Sequence, residues 1–338
     1  GGELFKLVAN EPDGAGDALG RSIAIEGTTI LSGAEGASIG GVNQGAAYVF
    51  DAATGAKLNK FGASDGSADD WFGWSVALNN GTAIVGACGD DDNGAQSGSA
   101  YLFDVASGQE LFKLLPSDGA AGDCFGRQVD IQGNVAIVGT ETANGRAYLF
   151  DVSTGQEIAV LKASDVTSGD DFGYSVAIHG NYAVVGANDA ITPNGDSGAV
   201  YVYDAGTGQE LAKIVPPAGA SDSAFGISVD LDGSTLAVGA YATAPGGLVR
   251  LYEVGSWRPI ADRSPTSTLA KLFGNSVAVQ GDRVLIGDVF EGNGFIFLGA
   301  MYVMNVPQPI GVSYCGPAVP NSSGLTGEIH AVGSVSYT

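Results

Sequence analysis

The sequence predicts an all-β protein, a six-bladed β-propeller of four-stranded blades. Three observations carry this. The 338 residues include 54 glycines without a collagen-like period. β-Branched and aromatic residues lie between them, the composition of many short strands joined by tight turns. One motif then recurs as Leu19-Gly20, Phe72-Gly73, Phe125-Gly126, Phe172-Gly173, Phe225-Gly226 and Phe273-Gly274, at steps of 53, 53, 47, 53 and 48 residues. A period near fifty falls in the range of propeller blades. Finally, the two ends complement each other: "GGELFKL" at the start matches "GQELFKL" of the second repeat, and the sixth repeat stops one strand short.

Each blade reads as four strands, A to D. In the fourth repeat "FGYSVAIHG" alternates and ends at a glycine turn, which makes it strand A. Its small residues Ser175 and Ala177 suit a crowded inner ring. "NYAVVGA" is a near-continuous apolar run suited to burial on both faces, strand B. "GAVYVYD" is strand C, "AGTG" a hairpin turn and "QELAKIV" strand D. The C–D turns recur as "DAATG", "DVASG", "DVSTG" and "DAGTG". In such turns Asp bonds the backbone ahead of it and Gly supplies a positive φ, so Asp51, Asp104, Asp151 and Asp204 are expected to be structural. The N-terminal strand is expected to close the last blade, residues 3–9 pairing with 299–305, which leaves no free edge inside the ring. Residues 1–306 form the propeller in this reading. Residues 307–338 are a Pro-containing linker and C-terminal tail, the start of a further domain.

The pattern resembles the FG-GAP repeats of bacterial surface proteins and of the integrin α-chain propeller, over residues 1–306. The resemblance implies a β-propeller used for adhesion and partner recognition outside the cell. Integrin-type repeats often carry a calcium loop between strands A and B. Here those turns read "IEGTT", "LNNGT", "IQGN", "IHGN", "LDGS" and "VQGD". They lack the six to eight oxygen ligands calcium takes, so those sites are not carried over. In the tail, "SYCGPAVPNSSG" looks like the opening of a small C-terminal domain of secreted bacterial proteins.

Charge narrows the partners. Fourteen Lys and Arg against 37 Asp and Glu give a net charge of −23, without the basic footprint that nucleic acid requires. No apolar run approaches the ~20 residues of a membrane-spanning helix, so no membrane insertion is expected. The acids gather in D–A and B–C loops on one face. Asp65, Asp70, Asp90, Asp91, Asp92 and Asp123 are the candidate ligands of a divalent cation, calcium, with capping of loop N–H groups as the structural alternative. No cofactor is required by this reading.

The residue directly after each glycine varies while its neighbours repeat. It is Arg21, Trp74, Arg127, Tyr174, Ile227 and Asn275. The slot lies at the start of the innermost strand, by the channel mouth. Arg21, Trp74, Arg127, Tyr174 and Asn275 are therefore the candidate ligand-binding residues, with blade packing as the alternative. The sixth B–C loop, "DVFEGNGFIFLGA", is apolar where its counterparts are polar. Phe290, Phe295, Ile296, Phe297 and Leu298 are its candidate partner-contact residues. Cys88 follows strand B of the second repeat and Cys124 precedes Phe125 of the third; the other repeats hold unrelated residues at these two slots. The pair is expected to form a disulfide, with buried free thiols as the alternative and Cys315 left over.

Neither a His-containing metal cluster, nor a nucleophile elbow, nor a phosphate-binding glycine loop is present, so no enzyme is expected. The reading is an extracellular or cell-surface binding or adhesion module for a protein or glycan partner. The alternatives are a self-assembling structural subunit of a surface layer or filament, and a carboxylate-based glycan hydrolase or lyase.

Overall fold

The computed structural model describes residues 5–9, 17–141, 145–165, 169–192, 195–196, 198–217, 224–243, 246–266, 272–288 and 300–307. Residues 1–306 form one compact unit. Among the described residues every regular element is a strand, and no helix is long and apolar enough to cross a membrane.

The first blade is β1 (Ile23–Glu26), β2 (Thr29–Ala34), β3 (Ala46–Asp51) and β4 (Lys57–Phe61). The second is β5 (Phe72–Asn79), β6 (Thr82–Ala87), β7 (Ser99–Asp104) and β8 (Glu110–Leu114). The third is β9 (Gln128–Gln132), β10 (Val135–Gly139), β11 (Ala147–Asp151) and β12 (Glu157–Leu161). The fourth is β13 (Phe172–His179), β14 (Tyr182–Ala187), β17 (Ala199–Asp204) and β18 (Glu210–Ile214), with a small hairpin of β15 (Ile191–Thr192) and β16 (Gly195–Asp196) in its B–C loop. The fifth is β19 (Phe225–Asp232), β20 (Thr235–Ala240), β21 (Leu248–Glu253) and β22 (Arg258–Arg263). The sixth is β23 (Ser276–Gln280), β24 (Arg283–Asp288) and β25 (Ala300–Asn305). All are antiparallel meanders, and the inner strands of all six blades line one central cavity of about 360 Å³.

The Phe-Gly pair has a physical reason. In each blade the N–H after the glycine donates to the carbonyl three residues back, as Arg127 to Cys124 and Tyr174 to Asp171. Phe-Gly thus fills the centre of a β-turn whose third residue is the glycine, at φ between 89° and 98° in all six. That is the type II pattern, which needs glycine there. The phenylalanine swings inward and packs edge-on against the strand-C aromatic of its own blade: Phe125 lies 5.4 Å from Tyr148, and Phe172 lies 5.4 Å from Tyr201. The strand-B glycine serves the seam between blades. A Cβ on Gly86 would overlap the Gly126 carbonyl of the next blade. Apolar side chains complete each seam: Leu102 and Ala100 of the second blade bury Val129 and Ile131 of the third in one cluster.

The C–D turns match the sequence reading. One Asp51 oxygen accepts the N–H groups of Ala53 and Thr54 at 2.8 Å each, Asp204 accepts those of Gly206 and Thr207, and Asp104 and Asp151 each accept the N–H three residues on. The Thr54 N–H bond to Asp51, and the Ser107 and Ser153 hydroxyl bonds to Asp104 and Asp151, are the largest influences and favour the ionised carboxylate, so the pKa of each of these three lies below the usual value.

The seam between the sixth and first blades differs from the other five. Among the described residues the sixth sheet has three strands, and residues 5–9, expected to pair with β25, lie in no strand. They pack on the first blade instead. Phe5 sits against Gly55 as Phe112 of β8 sits against Gly155, and the Lys57 ammonium donates to the Ala9 carbonyl at 3.1 Å. The segment keeps the contact a D strand makes with the following blade and lacks the ladder to the preceding C strand. Ile23 and Ile25 are 64% and 65% exposed, whereas Val129 and Ile131 at the same places in the third blade are buried.

Candidate functional site

The variable slot becomes a ladder. Because the six turns are alike, their fourth residues occupy equivalent places, each at the entry to the inner strand of its blade. The Arg21 guanidinium carbon lies 4.0 Å from the Trp74 ring centroid. The Arg127 carbon lies 5.3 Å from Trp74 and 4.6 Å from Tyr174. Cation and ring therefore alternate across four successive blades, each step within the ~6 Å reach of a cation–π contact. Glu35 pairs with Arg21 at 3.6 Å, and Glu141 with Arg127. Trp71 packs beside Trp74 at 5.4 Å. The ladder ends at Tyr174, because the next slots hold a buried Ile227 and a half-buried Asn275.

The candidate cation ligands meet an ammonium. Lys113, on β8, lies 2.7 Å from Asp65, 3.0 Å from Asp90 and 2.6 Å from Asp92. The Tyr101 hydroxyl is 3.0 Å from both Asp65 and Asp90. Burial opposes the Lys113 charge, yet the bonds to Asp65, Asp92 and Asp90 outweigh it and hold its pKa above the usual value. Burial likewise works against the Asp65 carboxylate, and Lys113 and Tyr101 overcome it, so its pKa falls. The other three accept loop N–H groups: Asp70 from Ser67 at 2.6 Å, Asp91 from Gln96 at 2.6 Å and Asp123 from Ala120 at 2.7 Å. Burial, with repulsion from Asp90 and Asp91, pushes Asp70 upward. Among the described residues no group of three or more His, Cys, Asp or Glu is placed to hold a metal ion. The Tyr–Asp part recurs, with Tyr148 donating to Asp118 and Tyr201 to Asp165, both at 2.7 Å. Lys113 on β8 and Lys213 on β18 were the sequence signal for these counter-ions, and reading the acids alone missed it.

Cys88 and Cys124 form a disulfide, with Cα atoms 4.4 Å apart and a sequence separation of 36. It ties the B–C loop of the second blade to the turn that presents Arg127. Thiol counting in denaturant is expected to find one reactive thiol, Cys315, per chain before reduction and three after it. Reduction is expected to cost about 2–4 kcal/mol of stability. The apolar loop residues Phe290, Phe295, Ile296, Phe297 and Leu298 lie outside the described residues.

On the opposite face, acceptor side chains of one A–B turn receive N–H groups of the next blade. Glu26 receives that of Asn80 at 2.8 Å, Asn79 that of Gly133 at 2.9 Å and Asp232 that of Gly281 at 2.7 Å. His179 stands in the same circuit, its Nδ1 3.1 Å from Gln132 and 3.5 Å from Asp232. Inside the channel, Asp130 and Asp230 occupy a strand-A position that holds alanine in the other four blades. Asp130 accepts the N–H groups of Ile131 and, across the seam, Ile178, both at 2.8 Å. Burial is the largest influence on it and, with repulsion from Asp230, pushes its pKa up to about 7.

The repeats are recognised independently of this geometry. The FG-GAP repeat family model matches residues 2–50, 56–103, 109–150, 156–203 and 209–250, more than half of the chain. The chain belongs to the FG-GAP repeat family. The sixth FG-GAP repeat lies beyond the matched segments, yet its turn is built alike, with Gly274 at φ 91° and the Asn275 N–H donating to Leu272 at 3.0 Å. A comparison with curated proteins finds no match.

Proposed function

We propose that this FG-GAP propeller is an extracellular or cell-surface binding module that recognises a protein or glycan partner at its channel mouth. The observation that carries the reading is the Arg21–Trp74–Arg127–Tyr174 ladder. Tryptophan, tyrosine and arginine are the residue types that dominate interface energetics when held rigidly in a surface patch. Here four blades hold them in one frame, and the Cys88–Cys124 bridge braces the turn under Arg127. Trp74 is already covered by guanidinium groups, so a partner meets guanidinium rims and ring edges more than an open ring face. That favours a protein loop over a stacked sugar. The disulfide fits an oxidising compartment outside the cell.

The test compares wild type with a Trp74→Ala/Arg127→Ala variant on a glycan array and on immobilised cell-surface proteins of the source organism. A partner bound by the wild type and weakened at least about thirtyfold in the variant, with unchanged thermal unfolding, supports the reading. Equal binding by both forms moves the site elsewhere. Release of a shortened glycan during the assay would instead favour the carboxylate-based hydrolase or lyase.

A further inference from the structure

We propose that the seam between the sixth and first blades is an assembly surface, at which the trailing face of one copy of this chain receives the leading face of another. The leading face is Ile23 and Ile25 of β1. The trailing face is Met301 and Val303 of β25, 68% and 56% exposed. These four occupy the places that are packed at the other seams. Met301 and Val303 stand opposite Gly287 and Leu285 of β24, as Ala100 and Leu102 stand opposite Gly86 and Ile84 of β6. Ala100 and Leu102 are fully buried against Val129 and Ile131 of the next blade. One chain thus carries both halves of a blade–blade contact in the register of its five made seams, and both halves are uncovered.

The backbone at the seam agrees. A Cβ at Gly73 or Gly126 would strike a carbonyl of the preceding blade, whereas at Gly20 it would meet open space. A Cβ at Gly287 would meet its own blade's Ser276, where its counterparts meet the carbonyl of the blade that follows.

Charge selects a second copy as the occupant. A net charge of −23 makes two copies repel over most of their surface. That charge is unevenly placed. Residues 62–249 hold 24 Asp and Glu against five Lys and Arg, residues 250–306 hold five of each, and residues 1–61 hold seven against four. The two seam faces lie on the less acidic ends of the propeller, where apolar contact between copies is least opposed. Such a contact is heterologous, so it builds a head-to-tail ring or an open filament. The inference is independent of the channel-mouth reading, since it uses none of the ladder residues.

Cross-linking between two single-cysteine variants tests it. Ile25→Cys and Val303→Cys are made separately in a Cys315→Ser background, mixed at micromolar concentration and treated with a short bismaleimide. A cross-linked dimer in the mixture, absent from either variant alone, is the expected result, since only contact between copies produces it. Light scattering should then show a mass of at least twice the monomer for the wild type and one monomer for Ile23→Lys/Ile25→Lys. Two results overturn the proposal. One is no dimer in the mixture while a chain carrying both cysteines cross-links within itself, which means that the ring closes on its own ends. The other is no cross-link of either kind, which means that the faces do not mate.

Discussion

Replacing Lys113 with methionine is expected to cost about 3 kcal/mol at pH 7, while leaving the blade fold intact. The substitution keeps the length and apolar stem of the side chain and removes only its charge. Breaking a buried ion pair by deleting one partner typically costs about 3–5 kcal/mol, because the remaining charge stays buried without its counter-ion. The lower end applies here: Asp90 is buried, whereas Asp65 and Asp92 are about half exposed and screened by solvent. The pH dependence identifies the cause. Asp65 has a lowered pKa in the folded chain, so its contribution is present above the unfolded value of about 4 and is lost as pH falls through the lower folded value. The variant lacks that contribution from the outset. Its deficit is therefore greatest at neutral pH and shrinks below about pH 4, as the carboxylates protonate. Urea unfolding at pH 7 and pH 3.5 measures both limits. A variant as stable as the wild type at pH 7 would show that the three carboxylates do not depend on the ammonium. Calcium, at millimolar concentration, is expected to leave the wild-type midpoint unchanged, since Lys113 stands where a cation would bind.

How much of this was legible in the sequence depends on whether a feature is enforced by the backbone or by a side chain reaching across the fold. The Phe-Gly turn, the strand-B glycine and the Asp of the C–D turn were legible because one conformation admits few residue types, so the same letters return every fifty residues. The disulfide was legible by the opposite logic: two cysteines replace unrelated residues at slots that meet in neighbouring blades. The ladder residues stood out as the slot released from the repeat, but the alternation of cation and ring is a relation between blades and emerges only when the ring is built. Other features escaped. Ala18, Trp71, Cys124, Asp171 and Ala224, each just before the Phe-Gly pair or its Leu-Gly equivalent, take left-handed φ between 47° and 57°. Non-glycine residues adopt that conformation seldom, and nothing in their identities announces it. The acidic loops suggested cation ligands because their neutralising lysine lies more than twenty residues further along, on a D strand. The N-terminal segment was read from its letters as a D strand, and letters alone do not say which of the two contacts of such a strand it makes.

Asp130 is the channel residue whose ionisation is expected to govern the pH profile of stability between about pH 4 and pH 7. Its place on β9 is alanine in four of the six blades, and in this chain it accepts one N–H from its own strand and one across the seam from β13. Those bonds favour the carboxylate, but burial is stronger and Asp230 adds repulsion, so the folded pKa rises to about 7. The unfolded chain titrates near 4. The native state therefore holds a proton that the unfolded state has released throughout this window. Its stabilisation is full below about pH 4 and is lost as pH rises through about 7. About three pKa units correspond to at most roughly 4 kcal/mol. Asp130→Asn removes the titration. The amide retains an acceptor for one N–H and presents a donor to the other, a misfit that costs about 1–3 kcal/mol at every pH. The variant is thus expected to be less stable than the wild type at pH 4, and to match or exceed it by pH 8, where the wild type has lost the contribution of the bound proton. Titrations elsewhere in the chain cancel in the difference between the two proteins. Asp230 does not cancel, because losing its charged neighbour lets its own raised pKa fall toward the ordinary range. Chemical unfolding of both proteins at half-unit steps from pH 4 to pH 8 gives that difference directly. Parallel curves would show that Asp130 is ionised in the fold at no cost, and that the channel is wet enough to solvate it.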